Sequence, residues 1–109
     1  MTPATPSLLF TPFVLAGKSL RNRIVHASMT TLTVRNGSVA EEQITYFENR
    51  ARGGAAMIIT EPLSMSPMQA VPTKTHVFNP DNAAGLTRMA QAVEQQDCRL
   101  LGQIQDPGR

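Results

Sequence analysis

The sequence has 109 residues, of which 41% are hydrophobic and 17% charged, as is typical of a folded globular chain rather than a disordered one. Ten basic residues stand against eight acidic ones without forming a cluster, which excludes the concentrated positive surface that nucleic-acid binding requires. No apolar stretch reaches the length of a membrane span, the N-terminal segment lacks the basic start of a secretory signal, and the single cysteine cannot form an internal disulfide. We therefore expect a cytoplasmic protein that contacts neither nucleic acid nor membrane.

The first part of the chain predicts a hairpin, a strand and a loop. In residues 8–21, apolar segments flank Gly17, a residue suited to tight turns, and this pattern predicts a short β-hairpin. Residues 24–29 (IVHASM) predict a buried strand. The Asn36-Gly37 pair that follows is a strong turn signal.

The best-marked element is a helix that begins near Ser38. Ser38 and Glu41 have the spacing of a capping box, in which the serine hydroxyl accepts from the backbone N–H of residue 41 and the glutamate carboxylate reaches back. An apolar stripe at helical spacing follows, formed by Ile44, Phe47 and Ala51. The Gly53-Gly54 pair supplies the left-handed conformation that commonly ends a helix.

The remaining elements alternate between strand and helix. Residues 55–60 are short and apolar and predict a strand covered on both faces, and residues 62–78 predict a long loop. Asn79-Pro80-Asp81 predicts the start of a second helix, and residues 100–104 predict a third strand. A hairpin followed by β-α-β-α-β predicts an α/β fold with parallel strands, in either an open doubly wound sheet or a barrel.

Each of the three predicted strands ends in polar residues, in the segments 28–30, 60–62 and 103 with 105–106. Parallel α/β folds carry their functional groups at the carboxyl ends of their strands, and the topology points these three ends to one side. On spacing alone, a functional site and ordinary polar loops are equally good explanations.

Other constellations are not supported. The Rossmann fingerprint is absent, because the only close glycine pair follows a helix. His26 and His76 have no partner at metal-ligand spacing, and the mid-strand position of His26 favours a packing role. A set of Ser28, His26 and Asp106 lacks a nucleophile elbow, and Cys98 also favours packing. We therefore assign no catalytic and no metal-binding residue.

Five segments carry a family pattern: residues 9–13 (LFTPF), 20–25 (LRNRIV), 46–47 with 50–54 (YF, RARGG), 58–61 (IITE), and Gln103 with 108–109. In this order and with these gaps they resemble the old yellow enzyme group of NADH:flavin oxidoreductases. The resemblance implies a (β/α)8 TIM barrel with FMN at its carboxyl-terminal mouth. It also implies that NAD(P)H reduces the flavin, which then passes hydride to a small activated alkene.

The resemblance also implies which residues contact FMN. They are Ala27, Ser28 and Met29 through the main chain, Thr30 through a hydrogen bond to the ring, Pro62 facing the flavin, and Gln103 at the polar edge of the ring. Three positions depart from the family pattern. Ser28 stands where proline is usual, Pro62 where a small residue is usual, and Asp106 where histidine is usual.

A barrel of this kind needs eight strands and about 250 residues. We therefore expect residues 1–109 to be the N-terminal portion of a single FMN-binding barrel domain, inactive as an isolated chain, with the catalytic residues downstream. Its partners would be a small-molecule substrate and either the rest of the barrel or further copies of the chain. Two alternatives stay open: one half of a split barrel enzyme, and a non-catalytic α/β interaction domain.

Overall fold

A computed structural model describes residues 7–108. The strands are β1 (Phe13–Leu15), β2 (Lys18–Leu20), β3 (Val25–His26), β4 (Met57–Ile59), β5 (Leu63–Ser64), β6 (Arg99–Leu101) and β7 (Ile104–Gln105). The helices are α1 (Glu41–Arg52) and α2 (Ala83–Glu94), with short 3-10 helices at Leu8–Phe10, Pro67–Gln69 and Pro80–Asn82. Within the described residues, no helix is long and apolar enough to cross a membrane.

The predicted alternation of strands and helices is confirmed. β3, β4 and β6 form a parallel sheet with β4 in the centre, and β5 pairs in parallel with β7. In the chain, α1 connects β3 to β4, and α2 lies between β5 and β6. The two helices pack on each other and on the sheet. The fold is therefore α/β with parallel strands joined by helical crossovers.

β1 and β2 form the predicted antiparallel hairpin. Its turn residues, Ala16 and Gly17, have φ values of +49° and +77°, as in the type I′ turns that suit the twist of two-residue hairpins. Glycine adopts this region readily, whereas alanine does so at some cost. The turn therefore satisfies the prediction at Gly17 and places strain at Ala16.

The start of α1 differs from the prediction. The helix begins at Glu41, its N-cap is Ala40, and no side chain caps it. Ser38 instead exchanges two backbone hydrogen bonds with Arg35, of 2.9 and 3.3 Å, across the Asn36-Gly37 turn. The capping-box prediction was wrong because this turn engages the main chain of Ser38.

The core lies between the helices and one face of the sheet. It contains the predicted stripe of α1 together with residues of β4, α2 and the approach to β6: Ile44, Phe47, Ala51, Ala55, Ile58, Met89, Val93 and Cys98. In α2, Met89 and Val93 are fully buried, whereas Leu86 is only half-buried. The sheet therefore buries its helix-facing side most completely.

The strands are shorter than predicted. The segment 24–29 forms a strand only at β3, and Val25 is 44% exposed, so the prediction of a buried strand was wrong for this chain. β3 is an edge strand, and among the described residues no strand pairs with its outer edge. The loop 62–78 contains β5, and the predicted strand 100–104 is divided into β6 and β7.

The division between β4 and β5 is a β-bulge. The N–H of Thr60 donates to the carbonyl of Leu101, and the next ladder bond runs from the N–H of Leu63 to the carbonyl of Gln103, both 2.9 Å. Between these two hydrogen bonds the chain advances three residues after β4, from Thr60 to Leu63, but only two after β6, from Leu101 to Gln103. One extra residue in one of two paired strands defines a β-bulge. Pro62 lies in the extra length, where its missing N–H is not required.

The segment before β3 closes the carboxyl end of α1. The Arg21 guanidinium donates to the carbonyls of Ala51 (2.5 Å) and Ala55 (3.0 Å). Asn22 is buried, and its Nδ2 donates to the Gly54 carbonyl at 2.8 Å. Its Oδ1 accepts from the backbone N–H of residue 24 at 2.9 Å. These bonds tie the segment before β3 to the last turn of α1 and to the carbonyls of the turn that follows it.

We expect Asn22→Ala to lower the free energy of unfolding by about 1–2 kcal/mol, because it leaves a partly buried carbonyl and a partly buried N–H without their partner. Asn49→Ala, on the exposed side of α1, is the matched control and should change it by less than about 0.5 kcal/mol. Urea unfolding followed by circular dichroism measures both variants. Equal effects of the two substitutions would contradict the assigned role of Asn22.

Candidate functional site

The carboxyl ends of the three parallel strands lie side by side. His26 pairs with Ile58, and Ile59 pairs with Leu101, so that β3, β4 and β6 end in register at one edge of the sheet. The chain segments that follow these strands are therefore neighbours. We refer to this row of strand ends, residues 27–31, 60–62 and 102–103, as the carboxyl edge.

All six residues predicted to contact a flavin lie on the carboxyl edge: Ala27, Ser28, Met29, Thr30, Pro62 and Gln103. Four of them are exposed, and Ser28 and Pro62 are half-buried. The fold therefore brings the six positions to one edge and leaves most of their surface accessible. Their contact with a flavin stays a prediction.

Two side chains at the end of β4 connect the parts of this edge. Thr60 is 2% exposed, and its Oγ1 accepts from the N–H of Gln103 at 3.1 Å. Glu61 is 1% exposed and accepts from the N–H (3.0 Å) and the hydroxyl (2.6 Å) of Thr31. The end of β4 thus holds the segment after β6 through Thr60 and the segment after β3 through Glu61.

Glu61 has a further buried partner. Gln43 of α1 is fully buried and donates from Nε2 to Glu61 Oε1 at 2.8 Å. Gln43 also lies within hydrogen-bond distance of the Thr75 hydroxyl, which is fully buried as well. This cluster of Thr31, Gln43, Glu61 and Thr75 links α1 to three connecting segments.

Thr60 and Glu61 were expected as polar residues at a strand end without an assigned role, and Gln43 was not predicted. One signal was available for Gln43, since it lies four residues before Phe47 and therefore on the buried side of α1. Nothing in the sequence shows that Glu61 meets Thr31, because the two residues are separated by thirty positions.

A cavity of about 380 Å³ lies beyond the edge, next to β5 and β7, and is lined by Met65, Ser66, Met68, Gln69, Asp106 and Gly108. Gln69 donates to the Gly108 carbonyl at 2.9 Å. The N–H of Gly108 and the Gln69 side chain hold the pKa of the Asp106 carboxyl below its ordinary value. Asp106 is therefore an ionised acceptor at neutral pH.

The two histidines have packing roles. His26 lies edge-on to the rings of Tyr46 and Phe47, with centroids 5.9 and 6.3 Å away. His76 stacks on Phe78 at 5.1 Å, and its ring nitrogen lies 2.9 Å from the Val71 carbonyl oxygen. Within residues 7–108, no group of histidine, cysteine and carboxylate side chains could hold a metal ion.

The set of Ser28, His26 and Asp106, which the sequence did not support, has no geometric support in the described part of the chain either. No hydrogen bond connects Ser28, His26 and Asp106 there. Ser28 Oγ and His26 Nδ1 are instead buried without a partner, both on the edge strand β3 or just after it. These atoms therefore have hydrogen-bonding capacity that the described residues do not use.

The sequence pattern of the NADH:flavin oxidoreductase / NADH oxidase family matches residues 8–109. The 4,4'-dithiodibutanoate disulfide reductase of Rhodococcus erythropolis is 33% identical over 108 residues, which cover 99% of this chain and 27% of that protein. Three curated relatives are covered over 15%, 27% and 31% of their length. The chain therefore spans less than a third of these proteins.

Solved structures share the fold. Morphinone reductase in complex with tetrahydroNAD aligns with a TM-score of 0.84 at 27% identity, over 95% of this chain and 28% of that one. Old yellow enzyme from Pichia sp. AKU4542 aligns with a TM-score of 0.86 at 19% identity, over 97% and 28% of the two chains, a likeness of fold alone.

The chemistry of Cys98 supplies a test of the core. Its side chain is fully buried, and burial raises the pKa of the thiol from 9.0 to about 11, against smaller opposing effects of Arg21 and Arg99. Because the thiolate is the reactive form, we expect the folded chain to resist alkylation by iodoacetamide at pH 8. The same chain in urea should react completely, as measured by mass spectrometry. Rapid labelling of the folded chain would contradict both the burial and the direction of the pKa change.

Proposed function

Because the chain belongs to the NADH:flavin oxidoreductase / NADH oxidase family, we propose that it forms one section of an FMN site at the mouth of a (β/α)8 barrel. The described residues would supply the hairpin and the first three parallel strands of that barrel. The observation that carries the proposal is the carboxyl edge, where three adjacent strands end in exposed residues suited to a flat, amphipathic ring.

The residues at this edge fit the isoalloxazine ring of FMN. The exposed Gln103 side chain offers both a donor and an acceptor, as the pyrimidine edge of the ring requires. The Thr30 hydroxyl is a second exposed group able to hydrogen-bond the ring. Ala27, Met29 and Pro62 offer apolar contact to its faces. We propose that these residues orient the ring and tune its electronics through hydrogen bonds.

When bound, FMN would supply hydride transfer from NAD(P)H to an activated alkene or a similar small acceptor. A nicotinamide donor is supported by the tetrahydroNAD in the morphinone reductase structure. The described residues would contribute binding and orientation of the ring, and catalytic groups would come from other parts of the barrel.

The rest of the site must come from further strands. Phosphate groups in such barrels bind at the loops after strands seven and eight. In the described residues, β3 and β6 each pair on one side only, and large apolar side chains at Val25, Leu101 and Ile104 are 44%, 51% and 62% exposed. Exposed apolar surface and unpaired strand edges favour association with more strands. We propose that these strands come from the continuation of the same barrel or from a partner chain.

The proposal can be tested by complementation. The 109-residue chain is produced together with the part of the Rhodococcus disulfide reductase that lies outside the matched segment. We expect an equimolar complex that retains FMN through gel filtration, measured by flavin absorbance. Gln103→Ala should weaken FMN binding in this complex by about fivefold to tenfold, because it removes hydrogen bonds to the ring. Gln95→Ala, an exposed residue at the end of α2, is the matched control and should leave binding unchanged.

Two results would contradict the proposal. Tight, stoichiometric binding of FMN by the isolated chain would mean that it forms a phosphate site without further strands. A complex that forms but holds no flavin would favour the non-catalytic interaction domain.

A further inference from the structure

Thr60 and Glu61 are adjacent buried residues at the end of β4. Their hydrogen bonds run to opposite neighbours in the sheet. Thr60 accepts from the N–H of Gln103 after β6, and Glu61 accepts from the N–H and hydroxyl of Thr31 after β3. One central strand thus contacts both outer parts of the carboxyl edge.

Glu61 is well suited to hold its neighbour in place. A carboxylate only accepts hydrogen bonds, and here three donor groups converge on it at 2.6, 2.8 and 3.0 Å. Because the group is buried, each hydrogen bond to it is costly to lose. Gln43, anchored on α1 and fully buried, donates to the same carboxylate oxygen as the Thr31 hydroxyl, and the N–H of Thr31 donates to the other oxygen.

Thr60 holds Gln103 in a different way. The N–H of Gln103 donates to the Thr60 hydroxyl oxygen, and its carbonyl accepts from the N–H of Leu63. The main chain of Gln103 is therefore fixed to the β4–β5 segment at both ends, whereas its side chain is exposed. The position from which the Gln103 amide extends is set by β4.

We propose that Thr60 and Glu61 are positioning residues that set the two outer parts of the flavin-facing edge separately. Glu61 fixes the segment 27–31 through Thr31, and Thr60 fixes Gln103. The role rests on the proposed function, since it acts on residues that would contact the flavin. A merely structural role would predict that loss of either side chain loosens the whole edge, whereas separate positioning predicts two independent effects.

The test uses the 109-residue chain with two substitutions that preserve side-chain shape, Glu61→Gln and Thr60→Val. Amide hydrogen exchange is measured by NMR at residues 31 and 103. We expect Glu61→Gln to speed exchange about tenfold at residue 31 and to change residue 103 by less than about twofold. Thr60→Val should show the reverse pattern. Glu94→Gln and Thr87→Val, both at exposed positions of α2, are the matched controls and should change neither amide.

FMN at millimolar concentration provides a second, spectroscopic measurement. In the unaltered chain, we expect FMN to shift the amide resonances of both outer segments. Glu61→Gln should abolish or redirect the shifts in residues 27–31 only, and Thr60→Val those at residue 103 only. If Glu61→Gln does not fold, Thr31→Val serves in its place, because it removes the hydroxyl bond to Glu61 and leaves the carboxylate with Gln43.

The possible failures are distinguishable. Equal changes at both amides in both variants, or no change in either, would overturn the positioning roles even if FMN shifts the resonances of the unaltered chain. Separate exchange effects without any FMN-induced shift at the carboxyl edge, in the isolated chain and also in its complex with the Rhodococcus segment, would overturn the role toward the flavin together with the proposed function.

Discussion

The pairing of β4 on both sides is the constraint on which the described structure depends. β4 is the only strand of the parallel sheet in residues 7–108 with a partner at each edge, and Ile58 at its centre is fully buried in the core. Once β3 and β6 pair with it in register, their carboxyl ends must lie beside its own. The crossover helices then have one face on which to pack, because α1 and α2 cover the same side of the sheet. The location of the candidate site follows from this pairing.

The same constraint accounts for what the described residues leave exposed. A parallel sheet normally has both faces covered and reads as continuous apolar strands. Here the helix-facing side holds Phe47, Met89 and Val93 at 0% exposure, whereas Val25 and Leu101 on the edge strands are about half exposed. Burial of apolar surface contributes about 25 cal/mol per Å², so these surfaces represent stabilisation that more strands would supply. Closing the sheet into a barrel would pair the free edges of β3 and β6. It would at the same time cover the exposed apolar side chains on these strands.

Local features of this fold were predictable from sequence, and features that join distant segments were not. The stripe of Ile44, Phe47 and Ala51 was predicted correctly because helical periodicity is encoded within a few residues. The capping role of Ser38 was predicted wrongly because a nearby turn claims its main chain. The cluster around Glu61 could not be predicted at all, because its hydrogen bonds join residues eighteen and thirty positions apart. The candidate site itself was predicted through the family resemblance, which named positions but not the contacts that hold them.

Pro62 shows how one departure from the family pattern is accommodated. A proline in a regular strand would leave the Gln103 carbonyl without its ladder donor. The bulge after Thr60 removes that difficulty, because the N–H of Leu63 takes the place of the missing one. Gln103 consequently keeps both main-chain hydrogen bonds, and its side chain makes no hydrogen bond within the described residues and remains exposed. A side chain that is free to bind a ligand, on a main chain that is fixed at both ends, is the arrangement that pre-organised recognition requires.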